Sequence, residues 1–309
     1  MDIKQIRTLI AIAETGSATR AGELLHLVQP AVSRHIRLLE EECGVPLFER
    51  ERHGMVLTDA GRTLVEYGRR ALRELDKARA EIGPATTSVS GRLTIGLLAS
   101  TSRLLAGELV ARVRARYPAV TVSITVGYAG NVLQWLEAGD IELALLYDTR
   151  SSNGLQAEAL VDERLYVLGP PGEFTGNEPF PLKGLKDRPM VMPNASHGLR
   201  SIIEHALAVA GISVDVVAET NALDLQKSLV AKGFGYTILP TSAVLEELQA
   251  GTLSGAPVGT PDLSRRIVLA RAAARRPSPA SAAAAPILTA LMKEMVDQQA
   301  WPGAAWIGR

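Results

Sequence analysis

The stretch Gly16–Glu40 constrains this chain more than any other. It reads Gly-Ser-Ala-Thr-Arg-Ala-Gly-Glu-Leu-Leu-His-Leu-Val-Gln-Pro-Ala-Val-Ser-Arg-His-Ile-Arg-Leu-Leu-Glu, the layout of two short helices meeting at a tight turn. Ser17 can accept a backbone N–H of an opening turn, so the first helix runs through Ala21, Leu24 and Leu25 toward His26. The second begins after Val28. Pro30 falls in its first turn, where the missing N–H is no loss and the fixed φ suits a helix. Val32, Ile36 and Leu39 recur at helical spacing and predict an inward stripe, which leaves Gln29, Ser33, Arg34 and Arg37 outward. That outward set suits DNA: arginine bridges guanine O6 and N7, glutamine pairs with adenine, and serine reaches a phosphate or base edge. The same residues alone also fit a solvated helical hairpin.

After Cys43-Gly44, the run Val45–Gly61 gives two short apolar stretches around a charged turn, a β-wing beside the helix pair. In order, the chain carries Gly16-Ser17, Gln29-Pro30-Ala31-Val32-Ser33, Ile36-x-x-Leu39-Glu40, Leu47-Phe48-x-Arg50 and Leu57-Thr58-x-Ala60-Gly61. With these motifs the opening hundred residues resemble a LysR-type transcriptional regulator. The resemblance implies an α/β protein with an N-terminal winged helix-turn-helix, a long linker helix and a C-terminal two-lobed, periplasmic-binding-protein-like domain. It implies contacts to double-stranded promoter DNA from Ser17, Thr19, Arg20, Gln29, Pro30, Ser33, Arg34, Arg37, Arg50, Arg52 and His53. RNA polymerase is a further partner it implies.

Bulk charge does not announce such a function. The 309 residues carry 33 Lys plus Arg and 33 Asp plus Glu, so placement matters more than sum. Glu40, Glu41 and Glu42 sit at the far end of the second helix, whereas Arg20, Arg34, Arg37, Arg50 and Arg52 gather in the helix pair and wing. Phosphate contacts from that face predict binding that weakens as salt rises.

Thr58 can cap a helix from about Asp59 to Ile82, in which Leu64, Gly68, Ala71, Leu75, Ala78 and Ile82 alternate by four and three. That heptad seam fits pairing of two helices, with one helix packed on its own domain as the alternative. The resemblance favours pairing, hence a homo-oligomer, a dimer of dimers, on palindromic half-sites. The domains are then 1–58, winged helix-turn-helix; 59–83, dimerising linker; 84–91, a Gly-, Pro- and Ser-rich hinge; and 92–309, effector-binding.

From Arg92 onward, β-branched runs alternate with helical segments, the pattern of parallel α/β sheets. Two such units imply a cleft. The resemblance places lobe I at about 92–162 and 266–300 and lobe II at about 163–265, crossing near Asp162 and Arg266. Residues Trp301–Arg309 read as a tail. Ligands settle at the carboxyl ends of strands, next to helix N-termini. Four segments meet that description: Ser100, Thr101 and Ser102; Gly127–Gly130 with Tyr128; Asn194–His197; and Thr220 with Asn221. Arg200 or His197 would supply charge for an anion, although each residue singly also fits an ordinary helix cap. In the family these are the inducer-contacting loops, so a small-molecule effector is implied and no other cofactor. A looser likeness to nitrogen-assimilation-control regulators lies in Asp140–Tyr147 and in Gly233-x-Gly235-x-Thr237-Ile238-Leu239-Pro240.

Enzyme chemistry finds little footing. The histidines His26, His35, His53, His197 and His205 show no metal spacing, and His35 and His53 read as residues of the DNA face or wing. One cysteine excludes an internal disulfide, and no phosphate-binding loop or nucleophile elbow occurs. Absence of a leader or a long apolar run points to the cytoplasm and away from a membrane. The competing class is a solute-binding or enzymatic α/β protein with an incidental helical arm, whose activity would survive deletion of residues 1–90.

Overall fold

The computed structural model describes residues 1–51, 54–82, 89–147, 154–176, 178–195, 197–260 and 262–308. They form two compact units, residues 1–84 and 85–309. The wing positions Arg52 and His53, the last linker position 83 and residues 84–88 of the anticipated hinge lie outside the described residues.

The first unit opens with α1 (Ile3–Thr15), which the Gly16-onward pattern did not reveal. Asp2 and Gln5 cap it reciprocally, with Gln5 N–H to Asp2 Oδ1 at 2.8 Å and Asp2 N–H to Gln5 Oε1 at 2.9 Å. Then come α2 (Ala18–Leu25), capped by Ser17, and α3 (Gln29–Cys43), with Pro30 in its first turn. Strands β1 (Phe48–Glu51) and β2 (Gly54–Leu57) pair antiparallel as the wing, and α4 (Asp59–Ile82) follows. Val32, Ile36 and Leu39 are buried as their spacing predicts, in one core with Ile6, Leu9, Ile12, Leu47 and Val65. The Glu40 carboxylate accepts Leu47 N–H at 2.8 Å and Phe48 N–H at 3.4 Å, tying the end of α3 to the wing. Thr58 caps α4, accepting Gly61 N–H at 3.0 Å. His35 faces inward, its Nδ1 2.8 Å from Thr8 Oγ1, so its anticipated place on the outer face is corrected.

The second unit contains β3 (Gly91–Leu98), α5 (Ala99–Arg116), β4 (Val120–Gly127), α6 (Ala129–Ala138), β5 (Leu143–Tyr147) and the 15-residue β6 (Leu155–Gly169). Next are β7 (Pro189–Pro193), α7 (Gly198–Val209), β8 (Asp215–Thr220), α8 (Leu223–Ala231), β9 (Thr237–Pro240) and α9 (Leu245–Gln249). The chain closes with β10 (Ser254–Pro257), β11 (Ser264–Ala272), α10 (Pro279–Asp297) and β12 (Ala304–Trp306). The principal sheet runs β10-β6-β11-β5-β3-β4. The N-terminal half of β6 pairs with β11, and its C-terminal half pairs with β9 and β10. Two lobes therefore share β6 and β11 near Asp162 and Arg266, which form a two-pronged ion pair at 2.8 and 3.0 Å. Each lobe has its own core, around Leu93, Leu105 and Leu288 in one and Leu165, Met190 and Ile203 in the other.

The closing segment is not a tail. Trp301 is 1% exposed, and Ala304–Trp306 pair with Glu163–Val161 of β6. Burial of the indole inside lobe I outweighs the freedom of a Pro- and Gly-containing terminus.

Candidate functional site

In the first unit one concave face is lined by Ser17, Thr19 and Arg20 of the α2 start, by Gln29, Ser33 and Arg37 of α3, and by Gly54 and Met55 of the wing. Gly54 makes this approach possible: Met55 N–H donates to the Gly16 carbonyl at 3.0 Å, and a Cβ on Gly54, whose φ is +137°, would lie 2.4 Å from that same oxygen. Pro30 and Arg34 are exposed on α3 beside this face. Arg20 and Arg34 make no ion pair among the described residues, whereas Arg37 lies 3.4 Å from Glu41 in an exposed pair of little energetic weight. Arg50 belongs to β1.

The α4 seam divides. Leu64 packs on the unit's own core, and Gly68 is buried against α1, where an added Cβ would meet Ile6 Cγ2 at 2.8 Å. Ala71, Leu75, Ala78 and Ile82 remain exposed. Two of the six seam positions thus pack within the unit and four stay free for a partner, so each reading of the heptad fits its own end of the helix.

In the second unit a cavity lies between the lobes, lined by Ser100, Tyr128, Tyr147, His197, Leu199, Leu223, Gln226 and Arg265, among others. Its free volume is about 20 Å³, room for roughly one water. The helices α5, α6, α7 and α8 all present their N-termini here through Ala99 and Ser100, Tyr128, His197 and Leu199, and Leu223. Of the four, only α7 has a side-chain cap, the Nδ1 of His197 accepting Leu199 N–H at 3.1 Å.

Of the eight residues anticipated for the cleft, Ser100, Tyr128 and His197 line it. Tyr128 donates its hydroxyl to Asn221 O and meets the His197 ring edge-on, centroids 4.4 Å apart. The other five do not line it. The spacing after the first strand of this unit predicts a helix from about Ser102, but α5 starts at Ala99, three residues earlier, which carries Thr101 inward, 0% exposed and bonded to Leu98 O at 3.3 Å, and turns Ser102 Oγ to Ala99 O at 3.0 Å. Asn194 uses its backbone to brace His197 and Thr220, and Asn221 offers only its carbonyl to Tyr128.

The anticipated charge partners are also corrected. Arg200 is consumed by Glu204 at 2.6 Å, Glu219 at 2.9 Å and Pro193 O at 3.0 Å. Burial, with the Arg265 charge nearby, holds the His197 imidazole down at about 4, so it is neutral at pH 7. Its Nδ1 accepts, so its proton sits on Nε2. The cation of the cleft is Arg265. Its guanidinium lies over the Tyr147 ring, 4.5 Å from the centroid, donates to the Tyr147 hydroxyl and to Ser100 Oγ at 2.8 Å, and pairs with Glu163. Sequence reading used Arg266 as a strand marker and passed over Arg265. The available signal was a pair of arginines opening an otherwise apolar strand, since buried charge needs a partner.

Among the described residues there is no cluster of His, Cys, Asp and Glu suited to a metal, and no helix long and apolar enough to cross a membrane.

Residues 3–62 match the bacterial regulatory helix-turn-helix protein, lysR family, and residues 86–293 match the LysR substrate binding domain. The chain is 31% identical over 289 residues to the RuBisCO operon transcriptional regulator of Allochromatium vinosum, spanning 92% of this chain and 94% of that one. It is 27% identical over 296 residues to the nitrogen assimilation regulatory protein nac of Klebsiella aerogenes, spanning 94% and 95%. CbnR solved in complex with its target DNA has the same fold, with TM-score 0.71, 21% identity and coverage of 96% and 99%. Full-length OxyR from Pseudomonas aeruginosa gives TM-score 0.69, 22% identity and 95% coverage of both chains. The winged unit and the two-lobed unit are the DNA-binding and effector-binding parts of a transcriptional regulator, and the chain belongs to the LysR family.

Proposed function

We propose that this regulator binds a two-fold symmetric promoter site through α2, α3 and the wing, as a dimer of dimers, and senses a small anionic metabolite in the cleft. Ser17, Thr19, Arg20, Gln29, Ser33 and Arg37 share one concave face, and the uncommitted Arg20 and Arg34 suit phosphates or guanine. Two separate surfaces support higher assembly. One is the exposed Leu75 and Ile82 row of α4; the other comprises β4 and β8, each paired on one side only among the described residues and carrying exposed Val126, or Val216 and Val217. A regulator of this kind acts in the cytoplasm, and RNA polymerase is the further partner this reading calls for.

The observation that carries the ligand reading is the convergence of four helix N-termini on one cavity beside Arg265. Helix N-termini carry partial positive charge and unpaired N–H groups, which suit a carboxylate or similar anion. The Nε2–H of neutral His197 and the Ser100 hydroxyl add donors. A cavity of about 20 Å³ admits such a molecule only when the lobes part, so binding shifts the balance between open and closed lobes and hence between assemblies on DNA.

A mobility-shift assay with DNA flanking the coding region tests the first half: a salt-sensitive, sequence-preferring complex is expected, and its absence refutes promoter binding. Thermal-shift screening of the full chain against small carboxylates tests the second. Stabilisation abolished by Arg265→Met is expected; stabilisation by neutral compounds alone would overturn the anion reading.

A further inference from the structure

The end of the chain enters the charge network behind the cleft. Trp301 donates its indole N–H to Glu163 Oε1 at 2.8 Å, and the Ser242 backbone N–H donates to the same oxygen at 3.1 Å. The other oxygen, Oε2, receives Arg265 Nε at 2.8 Å and Nη2 at 2.6 Å. Glu163 is 0% exposed, so its carboxylate is held by protein donors on both oxygens. The segment is pinned at two further places: Thr241 donates its hydroxyl to Pro302 O, and Ala304 pairs with Glu163 across β12 and β6. Neither Trp301 nor Glu163 lines the cavity. Both Trp301 and β12 lie beyond residue 293, where the match to the substrate binding domain stops.

A carboxylate saturated on both oxygens has one orientation, and the guanidinium that shares it inherits that orientation. Without the indole donor, Glu163 Oε1 keeps a single partner and the carboxylate gains freedom to turn, taking Arg265 with it. We propose that Trp301 is a positioning residue of the effector cleft: from outside the cavity it fixes Glu163, and through Glu163 the direction in which Arg265 meets an anionic ligand. This rests on the reading of the cleft as the ligand site.

Exchange of the Arg265 Nε–H with water, followed by ¹H–¹⁵N spectroscopy on the full chain, tests it without any ligand. The signal is assigned by its loss in Arg265→Lys. Trp301→Phe keeps a ring in the apolar seat and removes the donor. Exchange roughly tenfold faster than in the unsubstituted protein is expected, since one charge-assisted hydrogen bond is lost. Trp306→Phe, at a tryptophan outside the network, should leave the rate unchanged. An unchanged rate in Trp301→Phe, or equal acceleration in Trp306→Phe, overturns the proposal. Should Trp301→Phe not fold, the unsubstituted protein still decides: the Trp301 indole N–H and the Arg265 Nε–H should exchange together, and an indole exchanging tenfold faster refutes the coupling. A failed carboxylate screen bears on the ligand class and leaves these rates readable.

Discussion

Arg265 and Glu163 form an ion pair, Nη2 to Oε2 at 2.6 Å, at the point where both lobes share their two long strands, and the two residues are 3% and 0% exposed. A buried pair of this kind is a geometric device more than a source of stability, because desolvation of both charges offsets much of their attraction. Glu163→Ala should strand the guanidinium and destabilise the second unit by about 3–5 kcal/mol. Glu163→Leu combined with Arg265→Met should recover most of that loss while abolishing any effector response. Denaturant unfolding of the three full-length proteins checks this; a double variant as unstable as Glu163→Ala would show that the pair itself holds the lobes together.

His197 gives the cleft an acid limit. Burial lowers its imidazole from the ordinary 6.5 to about 4, so the unfolded chain takes up the proton first as pH falls. Stability from this group is therefore complete above about pH 6.5 and is lost progressively toward pH 4. His197→Asn keeps a capping acceptor for α7 and removes the titration. Its melting temperature should fall less steeply between those two pH values than that of the unsubstituted protein.

The two halves of α4 predict opposite phenotypes. Gly68→Val, forcing carbon into Ile6 at under 3 Å, should destabilise the first unit by about 1–3 kcal/mol. Leu75→Glu touches an exposed position and should leave helix content intact while dissociating the oligomer, as read by circular dichroism and sedimentation. Loss of secondary structure in Leu75→Glu would place that residue in intradomain packing instead.

Arg34→Ala should weaken binding to the cognate promoter by about 1–3 kcal/mol and relax preference at one base position if its guanidinium bridges guanine. A mobility-shift comparison with scrambled DNA separates the roles. Equal loss on both sequences would assign Arg34 to a phosphate.

Much of the architecture is written in short spans. Ser17, Pro30 and Thr58 mark helix starts because capping depends on residues within one turn. Val32, Ile36 and Leu39 name the buried face of α3 because helical periodicity is local. The strand and helix alternation from Arg92 onward likewise pointed to two α/β units, whereas the crossing near Asp162 and Arg266 came from the family resemblance and not from any local pattern. Helix α1 was missed, although its Asp2 and Gln5 capping pair stood at the very start of the chain.

The cleft was only partly legible. Its helix N-termini followed from the strand and helix pattern, which is why Ser100, Tyr128 and His197 were found. A start for α5 displaced by three residues was enough to turn Thr101 into the core, because each step around a helix rotates the side chain by about 100°. Arg200 looked available because its contact with Glu219 of β8, 19 residues further on, has no local signal.

The sequence by itself determined the starts of α2, α3 and α4, the apolar face of α3, and that a helix pair suited to DNA precedes two α/β units. Tertiary structure alone decided what covers each face and which charges meet. Gly68 is apolar in the heptad whichever helix lies against it, and α1 turned out to be that helix. Glu163 lies 102 residues from Arg265 and 138 from Trp301, far beyond any local period. Sheet order brings β6, β11 and β12 side by side, and only that neighbourhood makes three scattered side chains one site.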